Sequence, residues 1–282
     1  MKIALGTVQF GLNYGVTNSG GKVSLDEVNS ILELAKQSSI SIIDTAIAYG
    51  DSEATLGRFD LSSFSVISKI PSLKIHSGSI EKSVSGSLKR LNIDSLYGVM
   101  LHDEDDVFIE NNKLLNELKS LKEQGLIKKV GASFYSPEIA LKAIDEGIVD
   151  IIQVPANQLD SRFSAQGIFD KAAKKNVEVH IRSLFLQGLL AVNNNKRPMN
   201  FQRHPDLIKY DKYAQEFDLS NLELALLYLE KTKDLDFGVL GFVNAQQLKE
   251  TLAAYNNIRK IKIELKPELS TCDDILLNPS KW

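Results

Sequence analysis

The 282-residue sequence has a single cysteine, Cys272, so no disulfide can form within the chain and a cysteine-rich metal site is excluded. Positive and negative side chains nearly balance, with a formal net charge of −3, which argues against nucleic acid or an anionic membrane as a partner. No stretch approaches the roughly 20 apolar residues that span a bilayer. The apolar run at the amino terminus ends at Gly6, too early for a signal peptide. We therefore expect a cytoplasmic protein without nucleic-acid or membrane partners.

Histidine is also scarce, and the four histidines are far apart in the sequence: His76, His102, His180 and His204. A metal-dependent hydrolase needs clustered histidine and carboxylate ligands, and no H-x-H pair or similar spacing is present. This scarcity disfavours a metal-dependent barrel hydrolase, and we expect no metal site.

Glycine-rich phosphate-binding motifs are missing as well. The first apolar run leads into Gly6-Thr7-Val8-Gln9-Phe10-Gly11, which does not match G-x-G-x-x-G, and no segment matches a P-loop. A doubly wound dinucleotide-binding sheet normally carries such a turn after its first strand. That α/β architecture is therefore the weaker alternative.

What the chain does contain is an alternation of short apolar runs with longer amphipathic segments. The runs are rich in Ile and Val and show little polar alternation, as expected for parallel strands covered on both faces. Eight strands, each followed by a helix, predict one (β/α)₈ TIM barrel spanning residues 1–282 as a single domain. The predicted strands are Lys2–Leu5, Ser41–Thr45, Ser65–Ile70, Leu96–Leu101, Lys129–Ser133, Ile151–Val154, Glu178–Ser183 and Phe237–Leu240.

Helix starts are marked by capping residues. Ser24 followed by Glu27 is a capping-box pattern, and Ser136 precedes a proline at the first helical position. Further helices are expected near Gly78–Leu91, Asn111–Glu123, Ser164–Lys175, Leu219–Lys231 and Ala245–Tyr255. The segment from Ala191 to about Pro205 has no clear element, and we interpret it as a mobile loop on the catalytic face.

Ionisable residues follow three consecutive predicted strands. Asp44 ends the second strand with Tyr49 shortly after it, Lys69 ends the third, and His102 follows the fourth. Catalytic groups of α/β barrels lie at the carboxyl ends of the strands. Because a lysine in an apolar strand needs a partner, we expect Lys69 to pair with Asp44.

This set of residues suits proton donation to a carbonyl oxygen. A free tyrosine, with a pKa of about 10, is a weak acid near neutrality. An ammonium ~4 Å away, at an effective dielectric of ~20, would lower that pKa by up to about 3 before burial opposes it. We expect Asp44 to hold Lys69 in place and His102 to orient the carbonyl. None of these groups supplies a hydride, so redox chemistry here requires a nicotinamide or similar cofactor.

The same residues belong to a longer pattern. Asp44-Thr45-Ala46-x-x-Tyr49-Gly50-x-Ser52-Glu53-x-x-Leu56-Gly57 resembles the signature of the aldo-keto reductases. The resemblance covers nearly the whole chain. It also includes the Gly6-Thr7 opening, Lys69, His102, Gly131-x-Ser133, Gln153 and the segment from Ser183 to Leu190.

The resemblance implies a barrel that binds NADP(H) in extended form and transfers hydride to an aldehyde or ketone. It implies that Tyr49 is the general acid, that Lys69 and Asp44 tune it, and that His102 orients the small-molecule carbonyl substrate. Ser133 and Gln153 would contact the nicotinamide carboxamide. The implied cofactor-binding set is Gly6, Thr7, Asp44, Ser133, Gln153, Arg182, Ser183, Leu184, Gln187, Gly241, Val243 and Gln247.

Three positions depart from the usual family pattern. Phe134 stands where an asparagine is common, and Arg182 replaces the aromatic residue that stacks on the nicotinamide, although a guanidinium can also stack. The loop from Leu240 to Gln247 lacks the Lys and Arg that often bind the 2′-phosphate of NADP. NADP(H) is the expected cofactor by resemblance, and NAD(H) remains an alternative.

The Asp160-Ser161-Arg162-Phe163 and Phe185-Leu186-Gln187-Gly188 stretches resemble a bacterial subgroup associated with sugar or polysaccharide metabolism. This favours a polar, sugar-like carbonyl, with Asn157, Arg162 and Arg203 as candidate contacts. A second functional hypothesis is a nicotinamide-binding sensor or regulatory barrel with negligible turnover, because related barrels serve as channel subunits. Turnover with an aldehyde panel distinguishes the two.

Overall fold

A computed structural model describes residues 1–72, 79–263 and 269–282. Within these residues, eight parallel strands close into a barrel in the order β1 to β8, with β8 pairing back to β1. The strands are β1 (Ile3–Gly6), β2 (Ile42–Asp44), β3 (Ser65–Ile70), β4 (Leu96–Leu101), β5 (Ile127–Ser133), β6 (Ile151–Pro155), β7 (Glu178–Arg182) and β8 (Phe237–Gly241). The predicted (β/α)₈ barrel is confirmed, and each strand lies within two residues of its predicted bounds.

Helices lie outside the barrel and connect successive strands. Those in the first half of the chain are α1 (Val8–Gly11), α2 (Leu25–Gln37), α3 (Ser52–Leu56), α4 (Ile80–Leu91), α5 (Lys113–Glu123) and α6 (Pro137–Asp145). Those in the second half are α7 (Arg162–Ala165), α8 (Ile168–Lys174), α9 (Met199–Gln202), α10 (Pro205–Glu216), α11 (Asn221–Lys231), α12 (Ala245–Ile258) and α13 (Asp274–Leu277). Gly78, where the helix before Leu91 was expected to begin, lies outside the described residues, as does His76.

The strands are buried on both faces. Inside the barrel, a compact apolar cluster fills the space, and a much larger cluster packs the outer faces of the strands against the helices. The inner cluster consists of Ala4, Ile42, Ile67, Met100 and Ile151. This double burial explains why the strands read as continuous apolar runs without polar alternation.

The predicted caps are present at two helices. The Ser24 hydroxyl accepts a hydrogen bond from the Glu27 amide at the start of α2, and Ser136 accepts from the Ile139 amide at the start of α6. The Glu27 carboxylate does not complete a capping box. It accepts instead from the Ala245 amide, 2.9 Å away, and so ties α2 to the first turn of α12.

The segment between residues 191 and 205 differs from the expected mobile loop. It contains a short 3₁₀ turn and α9, and it is anchored by the fully buried Arg197 side chain. Arg197 forms a two-pronged ion pair with Asp211 and donates to the carbonyl of Leu189. Its partner lies on α10, a helix missing from the sequence-based prediction, so the anchor was not visible from the sequence.

The register brings the carboxyl ends of the strands to one rim. Gly6 lies opposite both Asp44 on β2 and Gly241 on β8. Across the barrel, Ser133 on β5 lies opposite Gln153 on β6. This rim therefore collects the residues singled out in the sequence. No helix among the described residues is both long enough and apolar enough to cross a membrane.

Candidate active site

The four expected catalytic residues meet at this rim. Asp44 ends β2, Lys69 is the penultimate residue of β3, and His102 directly follows β4. Tyr49 lies in the loop between β2 and α3, and its ring packs edge-on against His102 with the centroids 5.8 Å apart. Lys69 Nζ lies 5.2 Å from the centre of the Tyr49 ring.

Lys69 and Asp44 form the expected buried ion pair. Lys69 Nζ donates to Asp44 Oδ1 at 2.5 Å and to the carbonyl of Thr45 at 3.1 Å. The other carboxylate oxygen accepts from Gln153 Nε2 at 2.8 Å. Both carboxylate oxygens therefore have donors, as a buried charge requires. Gln153, expected as a cofactor contact, thus also positions Asp44.

Lys69 acts on the pKa of Tyr49 in the expected direction, but burial reverses the net shift. Burial of the phenol disfavours its charged form and outweighs the opposing effect of Lys69, so the pKa of Tyr49 is raised above 10.0. The pKa of Lys69 is also raised: burial opposes its charge, but Asp44 and Tyr49 outweigh burial. Lys69 is thus held as an ammonium beside a protonated phenol. In this arrangement the Tyr49 hydroxyl still has a proton to donate.

His102 is neutral at physiological pH. Burial, followed by the positive charge of Lys69, lowers the pKa of His102 from 6.5 to about 4. A neutral imidazole can donate one N–H to a carbonyl oxygen without adding a second positive charge beside Lys69. This protonation state fits the orienting role expected from the sequence.

A close backbone approach fixes the loop that carries Tyr49. A Cβ atom at Gly11 of α1 would lie 1.8 Å from the carbonyl oxygen of Tyr49 and 2.6 Å from the amide of Ser52. Only glycine fits at this contact, so α1 and the Tyr49 loop pack backbone to backbone. This contact fixes the position of the Tyr49 loop relative to α1.

A buried hydroxyl cluster supports the same loop. Ser52 Oγ donates to the carbonyl of Thr7 at 2.9 Å and lies 3.1 Å from Thr45 Oγ1. Thr7 Oγ1 in turn donates to the carbonyl of Asp44 at 3.0 Å. These bonds tie the ends of β1 and β2 to the first residue of α3. Ser52 belongs to the signature, and its supporting role was not predicted from the sequence.

Glu53 has a similar supporting role. Its side chain is buried, with Oε1 accepting from Ser68 Oγ at 2.5 Å and Oε2 from Arg90 Nε at 2.7 Å. Ser68 directly precedes Lys69 on β3. Glu53 therefore connects α3 and α4 to β3, next to Lys69. This contact gives the Glu53 position of the signature a supporting role.

A cleft of about 760 Å³ opens at the rim above Tyr49. All twelve residues expected to bind cofactor line it: Gly6, Thr7, Asp44, Ser133, Gln153, Arg182, Ser183, Leu184, Gln187, Gly241, Val243 and Gln247. Tyr49 and His102 line it as well, whereas Lys69 lies beneath the surface. One continuous cleft therefore joins the ionisable residues to the distant Gly241–Gln247 loop.

The backbone of this cleft is shaped for a ligand. A Cβ atom at Gly241 would lie 2.4 Å from Gln9 Oε1, so the glycine leaves room for that side chain at the rim. Gln9 Oε1 is buried without a hydrogen-bond partner among the described residues, and Gln9 lines the cleft. Ser183 and Gln187 adopt left-handed backbone angles in the loop after β7. An extended polar cofactor fits this wall, since it offers an unused acceptor and turned backbone segments.

The loop after β1 meets the loop after β7 at the lining of the cleft. Gln187 Oε1 accepts from the Val16 amide and the Gln187 carbonyl accepts from Thr17 Oγ1, both at 3.2 Å. Gly188 also packs here, because a Cβ atom at this residue would lie 1.9 Å from Thr17 Oγ1. These contacts join the two loops.

Three departures from the common pattern can now be placed. Phe134 is fully buried, and its amide donates to the carbonyl of Gln153. Arg182 lines the cleft and stacks on the ring of Tyr135, with Cζ 4.0 Å from the ring centre. Gln247 Oε1 accepts from the Val243 amide at 3.1 Å, within the loop from Leu240 to Gln247.

The candidate sugar contacts do not line the cleft. Asn157 Nδ2 donates to the carbonyl of Ser183, and Arg162 forms a two-pronged pair with the buried carboxylate of Asp160. Arg203 is exposed after α9. The structure instead adds lining residues that were not predicted as contacts, among them Gln9, Tyr14, Asn193, Lys196 and Glu250. They come from α1, from α12 and from the segments after β1 and β7, so only the closed barrel brings them together.

One group of potential metal ligands occurs among the described residues. His204, Asp206 and Asp273 bring their ligand atoms within 4.8 Å of one another, away from the cleft lining. Their polar atoms already serve the fold: His204 Nδ1 accepts from the Asp206 amide, and Asp273 caps α13. We assign this cluster a structural role.

The sequence model described as the Aldo/keto reductase family matches residues 2–271. The NADH-specific methylglyoxal reductase of Escherichia coli (strain K12) is 27% identical over 274 residues, covering 81% of this chain and 82% of that protein. The chloroplastic pyridoxal reductase of Arabidopsis thaliana is 29% identical over 139 residues, covering 43% of this chain and 38% of that protein. A solved Pseudomonas aeruginosa structure assigned to the aldo-keto reductases superposes with a TM-score of 0.71 at 24% identity. It covers 92% of this chain and 91% of the other.

Proposed function

Because the chain belongs to the aldo/keto reductase family, we propose that it reduces an aldehyde or ketone to an alcohol, with Tyr49 as the proton donor. The nicotinamide cofactor, when bound, supplies the hydride. The observation that carries the proposal is the buried ion pair of Lys69 and Asp44 next to Tyr49, which lines the cleft beside His102.

The residues have distinct parts in the proton transfer. His102, neutral, donates a hydrogen bond to the carbonyl oxygen and polarises it. Tyr49 gives its phenolic proton to the same oxygen as negative charge develops there. Lys69 then stabilises the phenolate that remains, and Asp44 holds the ammonium in place. The raised pKa of Tyr49 keeps the phenol protonated until the oxygen becomes basic enough to take the proton.

The cofactor would lie along the cleft wall. Ser133 and Arg182 would hold the nicotinamide end, and Ser183, Leu184 and Gln187 in the loop after β7 would lie along the pyrophosphate; all of them line the cleft. Gly241, Val243 and Gln247, with Gly6 and Thr7 beside them, form the remaining wall. Asp44 and Gln153 complete the floor near the reacting carbon.

We propose that NADH serves at least as well as NADPH, although the family resemblance favours NADP(H). The loop with Val243 and Gln247 offers no cation to a 2′-phosphate, and the nearby Glu250 adds a negative charge to the lining. The Escherichia coli relative is NADH-specific by name. The comparison of kcat/KM for the two cofactors tests this, and Gln247→Arg should shift the ratio towards NADPH. A wild-type preference for NADPH of about tenfold or more would overturn it.

The function is tested by following cofactor oxidation with a broad panel of aldehydes and ketones. Tyr49→Phe should lower kcat/KM at least about 100-fold on every active substrate, because general acid catalysis typically contributes about 10²- to 10⁴-fold. Tyr97→Phe is the matched control, since it removes a phenolic hydroxyl that bonds Glu178 on the opposite end of the barrel. If Tyr49→Phe retains wild-type turnover, Tyr49 is not the acid.

Cofactor binding is measured separately by fluorescence quenching. Wild type and Tyr49→Phe should bind cofactor with similar affinity, because the hydroxyl is assigned to proton transfer. Cofactor binding without turnover on any carbonyl would favour the alternative of a nicotinamide-binding sensor.

A further inference from the structure

Arg182 differs in its polar partners from Arg162 and Arg197, two other arginines that are partly or fully buried. Arg162 and Arg197 each hold an aspartate with two donors at 2.6–2.9 Å. In the part of the chain that the structure describes, no carboxylate forms an ion pair with Arg182. Its closest polar contacts are Ser133 Oγ at 3.4 Å and the Phe134 carbonyl at 3.5 Å, both long.

The Arg182 side chain is nevertheless held in position. It projects from the carboxyl end of β7, where Arg182 lies opposite Pro155. One face of the guanidinium stacks on Tyr135, with Cζ 4.0 Å from the ring centre. Stacking fixes the plane of the guanidinium while leaving donors at its edge for a planar anion.

Arg182 carries a positive charge near the reacting groups without a carboxylate partner among the described residues. Lys69 is neutralised by Asp44, and His102 is neutral, since its pKa is lowered to about 4. Arg182 lies close enough to Tyr49 and His102 for its charge to lower the pKa of each, while Asp103 acts on His102 in the opposite direction. The attraction for an anion is therefore local to the unpaired guanidinium of Arg182.

We propose that the substrates of this enzyme carry an oxoanion, a carboxylate or a phosphate, which Arg182 binds while the carbonyl meets Tyr49 and His102. The inference deepens the proposed carbonyl reduction and rests on it. A guanidinium in a partly desolvated cleft gains most from a bidentate oxoanion, because its long contacts to Ser133 and Phe134 leave its donors poorly satisfied. The edge of the guanidinium binds this anion, so its free face remains available to the nicotinamide.

The test compares matched substrates that differ in the anion alone. Succinic semialdehyde is paired with butanal, and glyceraldehyde 3-phosphate with glyceraldehyde, so the two sources of oxoanion are separated. Wild-type kcat/KM should favour at least one anionic member by about 10- to 100-fold, the range for a hydrogen-bonded charge. Parity or preference for the neutral member in both pairs overturns the proposal while leaving carbonyl reduction intact.

Arg182→Gln should remove this preference by lowering kcat/KM for the anionic members at least about tenfold more than for the neutral members, because only the anionic members lose a hydrogen-bonded charge pair. The loss on the neutral members measures the separate effect of Arg182 on the bound cofactor. Arg182→Lys should restore only part of the preference, because an ammonium lacks the planar fork. Arg203→Gln, which removes an exposed charge outside the cleft lining, should leave the ratio unchanged. If Arg182→Gln weakens all substrates equally and raises the cofactor Kd, Arg182 serves the cofactor alone and the proposal is wrong. If wild type turns over none of the substrates, the proposed carbonyl reduction itself is wrong.

Discussion

Lys69 Nζ lies 2.5 Å from Asp44 Oδ1, and the two side chains are 0% and 2% exposed. Such a pair is costly to bury and stabilises a fold only when its hydrogen bonds are complete. Here the carboxylate also accepts from Gln153, and the ammonium also donates to the Thr45 carbonyl. The pair thus links β2, β3 and β6 next to Tyr49, so the stability of the barrel and the proposed proton transfer depend on the same contacts.

Lys69→Met should be strongly destabilising, by about 3–5 kcal/mol, because it leaves the Asp44 charge buried without its counterion. Asp44→Asn should be destabilising for the converse reason. The double variant should lose less than the sum of the two, since no lone charge remains. Urea denaturation of all four proteins measures the cycle. Strict additivity would show that the two side chains do not interact.

The pH dependence of kcat/KM should reflect the environments of His102 and Tyr49. The pKa of His102 is lowered to about 4, so the imidazole is neutral above that pH and becomes charged below it. The pKa of Tyr49 is raised above 10.0, so the proton donor is lost only at high pH. We expect a flat profile between about pH 6 and 9, with the acid limb absent in His102→Asn. A His102-dependent inflection near 6.5 would contradict this environment.

The barrel, and the meeting of Asp44, Tyr49, Lys69 and His102 at one rim, could be predicted from the sequence because both depend on local pattern. Buried parallel strands appear in the sequence as apolar runs. Because the strands are parallel, the polar residues at their carboxyl ends lie at the same rim of the barrel. The sign of the Tyr49 pKa was not accessible, because burial of the phenol comes from loops that meet only in three dimensions. Ser52 and Glu53 were visible as letters of a signature, but their partners Thr7 and Arg90 are distant in sequence.

Acid stability should depend on Glu178 at the opposite end of the barrel. Burial opposes its charge, but hydrogen bonds from His180, Lys129 and Tyr97 outweigh burial and lower the pKa of Glu178 from 4.5 to about 2. Its stabilisation is therefore complete above about pH 4.5 and is lost as the pH falls towards 2.

The free energy of unfolding of wild type should fall between pH 5 and 2.5, and this fall should be smaller in Glu178→Gln by about 1–2 kcal/mol. The difference is smaller than for a fully buried carboxylate, because the cluster is partly solvated. Glu123→Gln, an exposed carboxylate at the end of α5, should leave the profile unchanged. Equal acid sensitivity of wild type and Glu178→Gln would show that Glu178 does not contribute to it.

The segment between residues 191 and 205 should lose its order when Arg197 is removed. Arg197 is fully buried and donates to Asp211 at 2.6 and 2.8 Å and to the Leu189 carbonyl at 2.8 Å. Asn193 and Lys196, which line the cleft, are close to Arg197 in the sequence. Arg197→Met leaves Asp211 with Asn221 as its remaining partner. We expect faster amide exchange across the segment and a higher cofactor Kd, with a loss of about 3 kcal/mol in stability.

Arg203→Gln is the matched control, because it removes an exposed arginine from the same segment. Its exchange rates and cofactor Kd should equal those of wild type. Binding is compared at a temperature where every variant is folded, so that global unfolding does not mimic local loosening. A lower melting temperature of Arg197→Met with unchanged exchange and unchanged Kd would mean that Arg197 stabilises the barrel without shaping the cleft.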